Sequence, residues 1–140
     1  MFVTRATRHD KEDIGELLAT NGWGDADLSR GSFFIARDGA VVGCVQLIEV
    51  APQTLVFDNV LVREDRRGES IGRRVIQAAL NNKGGTVYLC CHEERLAFYG
   101  HFGFAEVGFD NAPEPVQSFW REVGDHPTEP GHVHYFLKAR

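Results

Sequence analysis

Apolar and polar positions along the chain change period repeatedly, and each change marks an element. Met1–Thr7 reads as a first strand. From Asp10 the apolar residues Ile14, Leu17 and Leu18 fall on one face of a helix, with Asp10 as its N-cap and Asp13 three residues on. Asn21-Gly22 ends that helix, and a short second one is expected over Asp25–Arg30. Ser32–Arg37 and Val41–Val50 return to the strand pattern, joined by Asp38-Gly39, a pair suited to a tight hairpin. Thr54–Val62 is the next strand, opened after Pro52. Ser70–Asn82 is the strongest helix, with Ile71, Val75, Ile76, Ala79 and Leu80 on one face and Gly84-Gly85 beyond its end. Thr86–Cys91 is a short apolar strand of the kind buried on both faces. Glu93–Phe102 reads as a helix stopped by Gly103, and Phe104–Val107 and His132–Lys138 as two closing strands.

Between those last strands, Asn111–Gly131 holds four of the five prolines. Val116, Phe119, Trp120 and Val123 nevertheless have helical spacing, and Pro115 suits a first turn. The insert is either a lid on the substrate side or an edge cover packed by its own aromatics. Alternation of strands and helices predicts an α/β or α+β domain.

Length adds a bound: 140 residues suit a single domain, 1–140, with one sizeable core. No apolar run approaches the roughly 18 residues of a membrane span. Met1-Phe2-Val3-Thr4-Arg5 leads straight into a strand, unlike a secretory signal. Cys44, Cys90 and Cys91 are odd in number and two are adjacent, so a disulfide framework is not expected and a cytoplasmic setting is. A net charge of −5 argues against nucleic-acid or membrane partners. Against that acidic background Arg63, Arg66, Arg67, Arg73 and Arg74 cluster. The cluster marks either a specific anionic ligand or a solvated charged face.

The arginines frame Val60-Leu61-Val62-Arg63-Glu64-Asp65-Arg66-Arg67-Gly68-Glu69-Ser70-Ile71-Gly72-Arg73-Arg74. A strand ends at Val62, a charged turn follows, and a helix starts near Ser70. Free N–H groups of a first helical turn, with the positive end of the dipole, make an anion site. Gly68 permits an unusual turn, Gly72 permits close approach, and Arg67 and Arg73 can pair with phosphate oxygens. This composition points to a phosphate-bearing ligand. No Gly-x-x-x-x-Gly-Lys-Ser/Thr occurs, and no Gly-x-Gly-x-x-Gly follows the first strand, so two common nucleotide-binding motifs are set aside.

The same segment resembles the acetyl-CoA loop of the GNAT superfamily of N-acetyltransferases, whose pattern is Gln/Arg-x-x-Gly-x-Gly/Ala. Arg67 takes the first place and Gly72 the last, while Ser70 stands for the middle glycine. A second segment agrees. His92 through Phe104 resembles the family's later helix, Asn-x-x-Ala-x-x-Phe-Tyr-x-x-x-Gly-Phe, with Phe98-Tyr99 and Gly103-Phe104 in register and His92 and Arg95 as departures. The resemblance covers nearly the whole chain and implies a mixed central sheet of about seven strands flanked by helices.

It also implies a chemistry: transfer of an acetyl group from acetyl-CoA to a primary amine by direct attack on the thioester. Leu61, Val62, Arg67, Gly68, Glu69, Ser70, Ile71, Gly72, Arg73 and His92 are then expected around the cofactor. Its pantetheine arm would add alongside Thr54–Val62 as an extra strand, where the family's backbone splays. A main-chain N–H near Leu61 would hold the oxyanion. An alkylamine with a pKa of about 10 must lose a proton, for which Asp58 is the preferred base or relay, with Glu49 and His92 as rivals. Tyr99 is the expected general acid for the departing sulfur. Cys90 and Cys91 are read as buried thiols rather than nucleophiles. His132 and His134 alternate on the last strand without an evident third ligand, so no metal is expected. The acceptor is a small-molecule or peptide amine, and a homodimer is the default assembly. The alternative is a non-catalytic acyl-CoA-binding or regulatory domain of the same fold.

Overall fold

A computed structural model describes residues 1–125, 127–129 and 132–139. Strand β1 (Phe2–Arg5) leads to helix α1 (Lys11–Ala19), then strands β2 (Ser32–Asp38), β3 (Ala40–Ala51) and β4 (Thr54–Val62). Helix α2 (Ile71–Asn81), strand β5 (Thr86–Cys91), helix α3 (Leu96–Gly100), strand β6 (Ala105–Glu106) and helix α4 (Glu114–Val123) follow. Strands β7 (Thr128–Glu129), β8 (His132–Val133) and β9 (Tyr135–Ala139) close the order. Seven strands form one sheet in the order β1-β2-β3-β4-β5-β9-β6, while β7 pairs with β8 alone. The sheet is mixed, because β4 and β5 run parallel and β1–β2, β2–β3, β5–β9 and β6–β9 run antiparallel. Among the described residues no helix is long and apolar enough to cross a membrane.

The chain divides into two compact units, Met1–Ile48 with Asp58–Asn82 and Glu49–Phe57 with Lys83–Arg140. In the first, the β2–β3 hairpin turns at Gly39 with φ 76°, as the Asp-Gly pair predicts. The α1 residues Ile14, Leu17 and Leu18 bury against Phe33, Ile35, Val41, Cys44 and Leu61. On the other face Gly43 leaves room for the first turn of α2: a Cβ there would lie 2.7 Å from Ile71 Cγ2.

Two expectations for this unit are corrected. Asp10 is not the side-chain cap of α1. Thr7 caps a 3-10 turn over Arg8–Asp10, and the Asp10 carboxylate accepts from Thr7 N–H and from Arg37. Nor is Asp25–Arg30 a helix; it is a run of turns. Asp27 accepts from the Ser29 N–H and hydroxyl, and buried Gln46 donates to the carbonyls of Asp27 and Arg30 at 2.9 and 2.7 Å. Gln46 Oε1 in turn accepts from Asn59 Nδ2 at 2.8 Å. These side-chain bonds hold the turns in place.

In the second unit, β5 is ladder-paired to β4 over Thr54, Leu55 and Val56 and to β9 along its length from Val87. The parity of β5 sends Tyr88 and Cys90 to the face that α4 covers. Trp120 of α4 lies edge-on to Tyr88 and 4.5 Å, centroid to centroid, from Phe136 of β9. The aromatic spacing read from the insert therefore forms a helix, with Pro115 in its first turn. The helix expected over Glu93–Phe102 is shorter. Glu93–Arg95 is a 3-10 turn closed by Arg95 N–H to the His92 carbonyl, and α3 ends at Gly100. The last strand is interrupted at His134, whose N–H donates to the Pro127 carbonyl at 3.3 Å, so β8 and β9 are separate. The first and sixth strands are also shorter than expected, at Phe2–Arg5 and Ala105–Glu106.

Candidate active site

The first unit contains the turn singled out by its arginines. Strand β4 carries Asn59 at φ 47°, a left-handed position that kinks the strand just before Leu61 and Val62. Asn59 is held there on three sides. Its N–H donates to Asp58 Oδ1, its carbonyl accepts from Cys44 Sγ, and its amide reaches Gln46. Burial raises the Asp58 carboxyl above the ordinary carboxylate value, partly offset by the Asn59 N–H and the Arg30 charge.

After Val62 the chain makes a 3-10 turn over Glu64–Arg66, then passes through Gly68 at φ 85° and Ser70 at φ 64° into α2. Ser70, in the place of the family's glycine, thus adopts the conformation that a glycine would take without strain. Arg74 N–H is the first to bond back into the helix, to the Ser70 carbonyl at 3.1 Å. Among the described residues the N–H groups from Gly68 to Arg73 have no main-chain acceptor, and no side chain caps α2. These donors lie at the positive end of a helix dipole, an arrangement suited to an anion.

The arginines divide into two sets. Arg63 is bound to Asp65, and Arg66 to Glu69 and Asp38. Arg67 donates Nε to the Val62 carbonyl at 3.2 Å, fixing the entrance to the turn. Arg73 and Arg74 are exposed, with no side-chain ion pair among the described residues. Beside the turn lies a cleft lined by Leu61, Val62, Arg63 and Arg67 on one side and Thr20 and Asn21 on the other. Thr20 and Asn21 were not foreseen as lining residues, although the Asn21-Gly22 helix stop located the chain reversal that puts them there.

The second unit contains Tyr99 and His92. Gly103 at φ 85° folds the chain back after α3, and the Tyr99 carbonyl accepts from Phe102 N–H and Phe104 N–H. The Tyr99 ring lies edge-on to Phe104 at 5.8 Å and to Phe98 at 5.1 Å. That geometry explains the Phe-Tyr-x-x-x-Gly-Phe spacing as a folding motif. Tyr99 is 7% exposed, and burial, then the neighbouring Cys91, push its phenol well above the ordinary tyrosine value. Its hydroxyl has no hydrogen-bond partner among the described residues, yet no buried side-chain oxygen there is left unpaired. The exposed part of the residue is therefore its tip. His92 packs its ring on that of His134, 4.8 Å between centroids. Glu49, the rival base, is exposed at the end of β3. Of the adjacent cysteines, Cys91 is buried as expected, but Cys90 is only half-buried.

Comparison with known proteins places these features. The profile described as Acetyltransferase (GNAT) domain matches residues 29–106, more than half of the chain. The chain belongs to the GNAT acetyltransferase family. Among solved structures it is similar to N-acetylglutamate synthase from Neisseria gonorrhoeae complexed with coenzyme A and N-acetyl-glutamate, with a TM-score of 0.75 and 18% identity. That match takes in 100% of this chain but 35% of the synthase. An aminoglycoside 6'-N-acetyltransferase complexed with coenzyme A gives 0.70 and 15%, over 99% of this chain and 96% of that one. Escherichia coli ElaA gives 0.72 and 17%, over 99% of each chain. No curated protein sequence matched the chain significantly. At these identities the solved structures establish the shared fold.

Proposed function

We infer that this chain transfers an acetyl group from acetyl-CoA to a primary amine. The observation that carries the reading is the uninterrupted run of unclaimed N–H groups from Gly68 to Arg73 at the start of α2. A diphosphate meets those donors with little reorganisation, and Arg67 and Arg73 supply charge to the same oxygens. Leu61 and Val62, just beyond the Asn59 kink, offer main-chain groups to the amides of the pantetheine arm. A main-chain N–H near Leu61 stabilises the oxyanion that forms when the amine attacks the thioester carbonyl. As the intermediate collapses, the C–S bond breaks and Tyr99 supplies the proton to the sulfur. The acyl group passes directly to nitrogen with no covalent enzyme intermediate. The coenzyme A bound by two of the similar structures supports the choice of donor.

Release of free thiol from acetyl-CoA across a panel of amines tests the activity and finds the acceptor. The double variant Arg67→Ala with Arg73→Ala should bind coenzyme A about a hundredfold more weakly, at about tenfold or ~1.4 kcal/mol per arginine. Calorimetry showing unchanged affinity would remove the cofactor from this turn.

Asp58 is the general base in this reading. A base must be unprotonated, so kcat/KM should decline on the acid side as pH falls through its raised pKa. Asp58→Asn should lower the plateau and abolish that limb of the profile. A limb that persists unchanged in Asp58→Asn assigns the proton to another group.

A further inference from the structure

A second cluster of chemistry lies within the second unit, on the face of the sheet covered by α4. Cys90 and Phe136 are register partners in the β5–β9 ladder, and Cys91 pairs with Tyr135. One step further along the same ladder direction, His92 meets His134, which is where their rings are found. Side chains alternate along a strand, so Cys90, His92, His134 and Phe136 share a face. Asp125 reaches that face from the end of α4. Gly124 turns the chain at φ 86°, and Asp125 N–H donates to the Trp120 carbonyl at 2.8 Å. Trp120 is in turn seated on Phe136, so the docking of α4 fixes where Asp125 arrives.

The outcome is one ligand atom each from Cys90, Asp125 and His134, all within 4.8 Å of one another and all on half-buried residues. We propose that Cys90, Asp125 and His134 form a zinc site, with His92 bordering its fourth position. Zinc takes sulfur at about 2.3 Å and nitrogen or oxygen at about 2.0–2.2 Å in a tetrahedron, which places ligand atoms roughly 3.3–3.7 Å apart. Closing the cluster from its present span needs a shift of about an ångström, within the reach of side-chain rotation. A thiolate and an imidazole select zinc over magnesium or calcium, which take oxygen ligands. On binding, the Cys90 thiol loses its proton to solvent and sulfur donates a lone pair to the metal. The metal would join the C-terminal end of α4 to the β5–β9 pair.

The sequence predicted no metal because His134 was read with His132, its strand neighbour, and the partners come from distant elements. The proposal does not rest on the acyl-transfer reading and is tested without measuring activity. Protein stripped with chelator under reducing conditions is titrated with cobalt(II) and then zinc. One equivalent of cobalt should produce a thiolate charge-transfer band and the visible bands of a tetrahedral ion, and zinc should displace it while raising Tm. Cys90→Ser should lose the charge-transfer band and bind zinc at least about tenfold more weakly; Asp125→Asn and His134→Gln should weaken zinc by about tenfold or more. Cys91→Ser, on the opposite face, should retain the band. Should Cys90→Ser fail to fold by circular dichroism, His134→Gln decides the question through zinc affinity. Absence of the band in the parent protein, unchanged zinc affinity in His134→Gln, or loss of the band in Cys91→Ser overturns the proposal.

Discussion

Replacing Tyr99 by Phe should lower kcat about a hundredfold while leaving coenzyme A affinity and Tm nearly unchanged. The hydroxyl is the one group lost, and it has no partner among the described residues to leave unsatisfied. The ring stays in its edge-on contacts with Phe98 and Phe104, so the packing persists. Burial keeps the phenol protonated across the working range, as a proton donor to sulfur requires. The expected loss is at the low end of the general-acid range, about 10²–10⁴, because a thiol with a pKa of about 8.5 is already a fair leaving group. Steady-state kinetics beside calorimetry with coenzyme A separate the outcomes. Full turnover in Tyr99→Phe assigns the residue to packing alone. If neither parent nor variant releases thiol with any amine while both bind the cofactor, the chain is a binding domain.

The largest expected effect on stability comes from Gly85→Ala. A Cβ at Gly85 would lie 2.1 Å from the Gln53 carbonyl oxygen and 2.4 Å from its carbon. Those are main-chain atoms and cannot swing aside as a side-chain end can. The same carbonyl accepts from Thr86 N–H at 3.0 Å, at the point where the parallel β4–β5 ladder begins. Relief of the clash must therefore open the ladder. A loss of about 3 kcal/mol, and a Tm lower by about 10 °C, is expected. Gly84→Ala supplies the control, since nothing lies within 4 Å of its Cβ, and it should change stability by less than about 0.5 kcal/mol. Equal urea midpoints for the two variants would show that the strand pair yields easily at this point.

That pair of glycines also shows where the sequence was legible. Gly84-Gly85 reads as a helix stop, and α2 does end before it, but the demand on Gly85 comes from Gln53, which no local pattern connects to it. Elements whose cause is local were readable. The 3.6 period of α2 and α4, the Asp-Gly hairpin and the run of amides before Gly72 are each set by neighbours in the chain. The turns over Asp25–Arg30 are held in part by Gln46, sixteen or more residues away, which no local pattern connects to them. His134 was read as continuous strand because its N–H partner, Pro127, lies across a turn. Asp10 was taken as a cap because its competing partner, Arg37, sits on β2, distant in the chain. In the candidate site, the turn before α2 and the packing of Tyr99 follow spacings that are local in the chain. Thr20, Asn21 and the Cys90–Asp125–His134 grouping depend on which strands and helices become neighbours.

The Gln46 carboxamide has a further consequence for how this scaffold can vary. It grips the loop before β2 through carbonyl oxygens, which every amino acid possesses, rather than through side chains. At those two points the path of the loop depends on its backbone and not on which residue stands there. Exposed Asp25 can be exchanged while the loop stays suspended from β3 at the same two points, whereas Ala26 and Leu28 are constrained by the core they pack against.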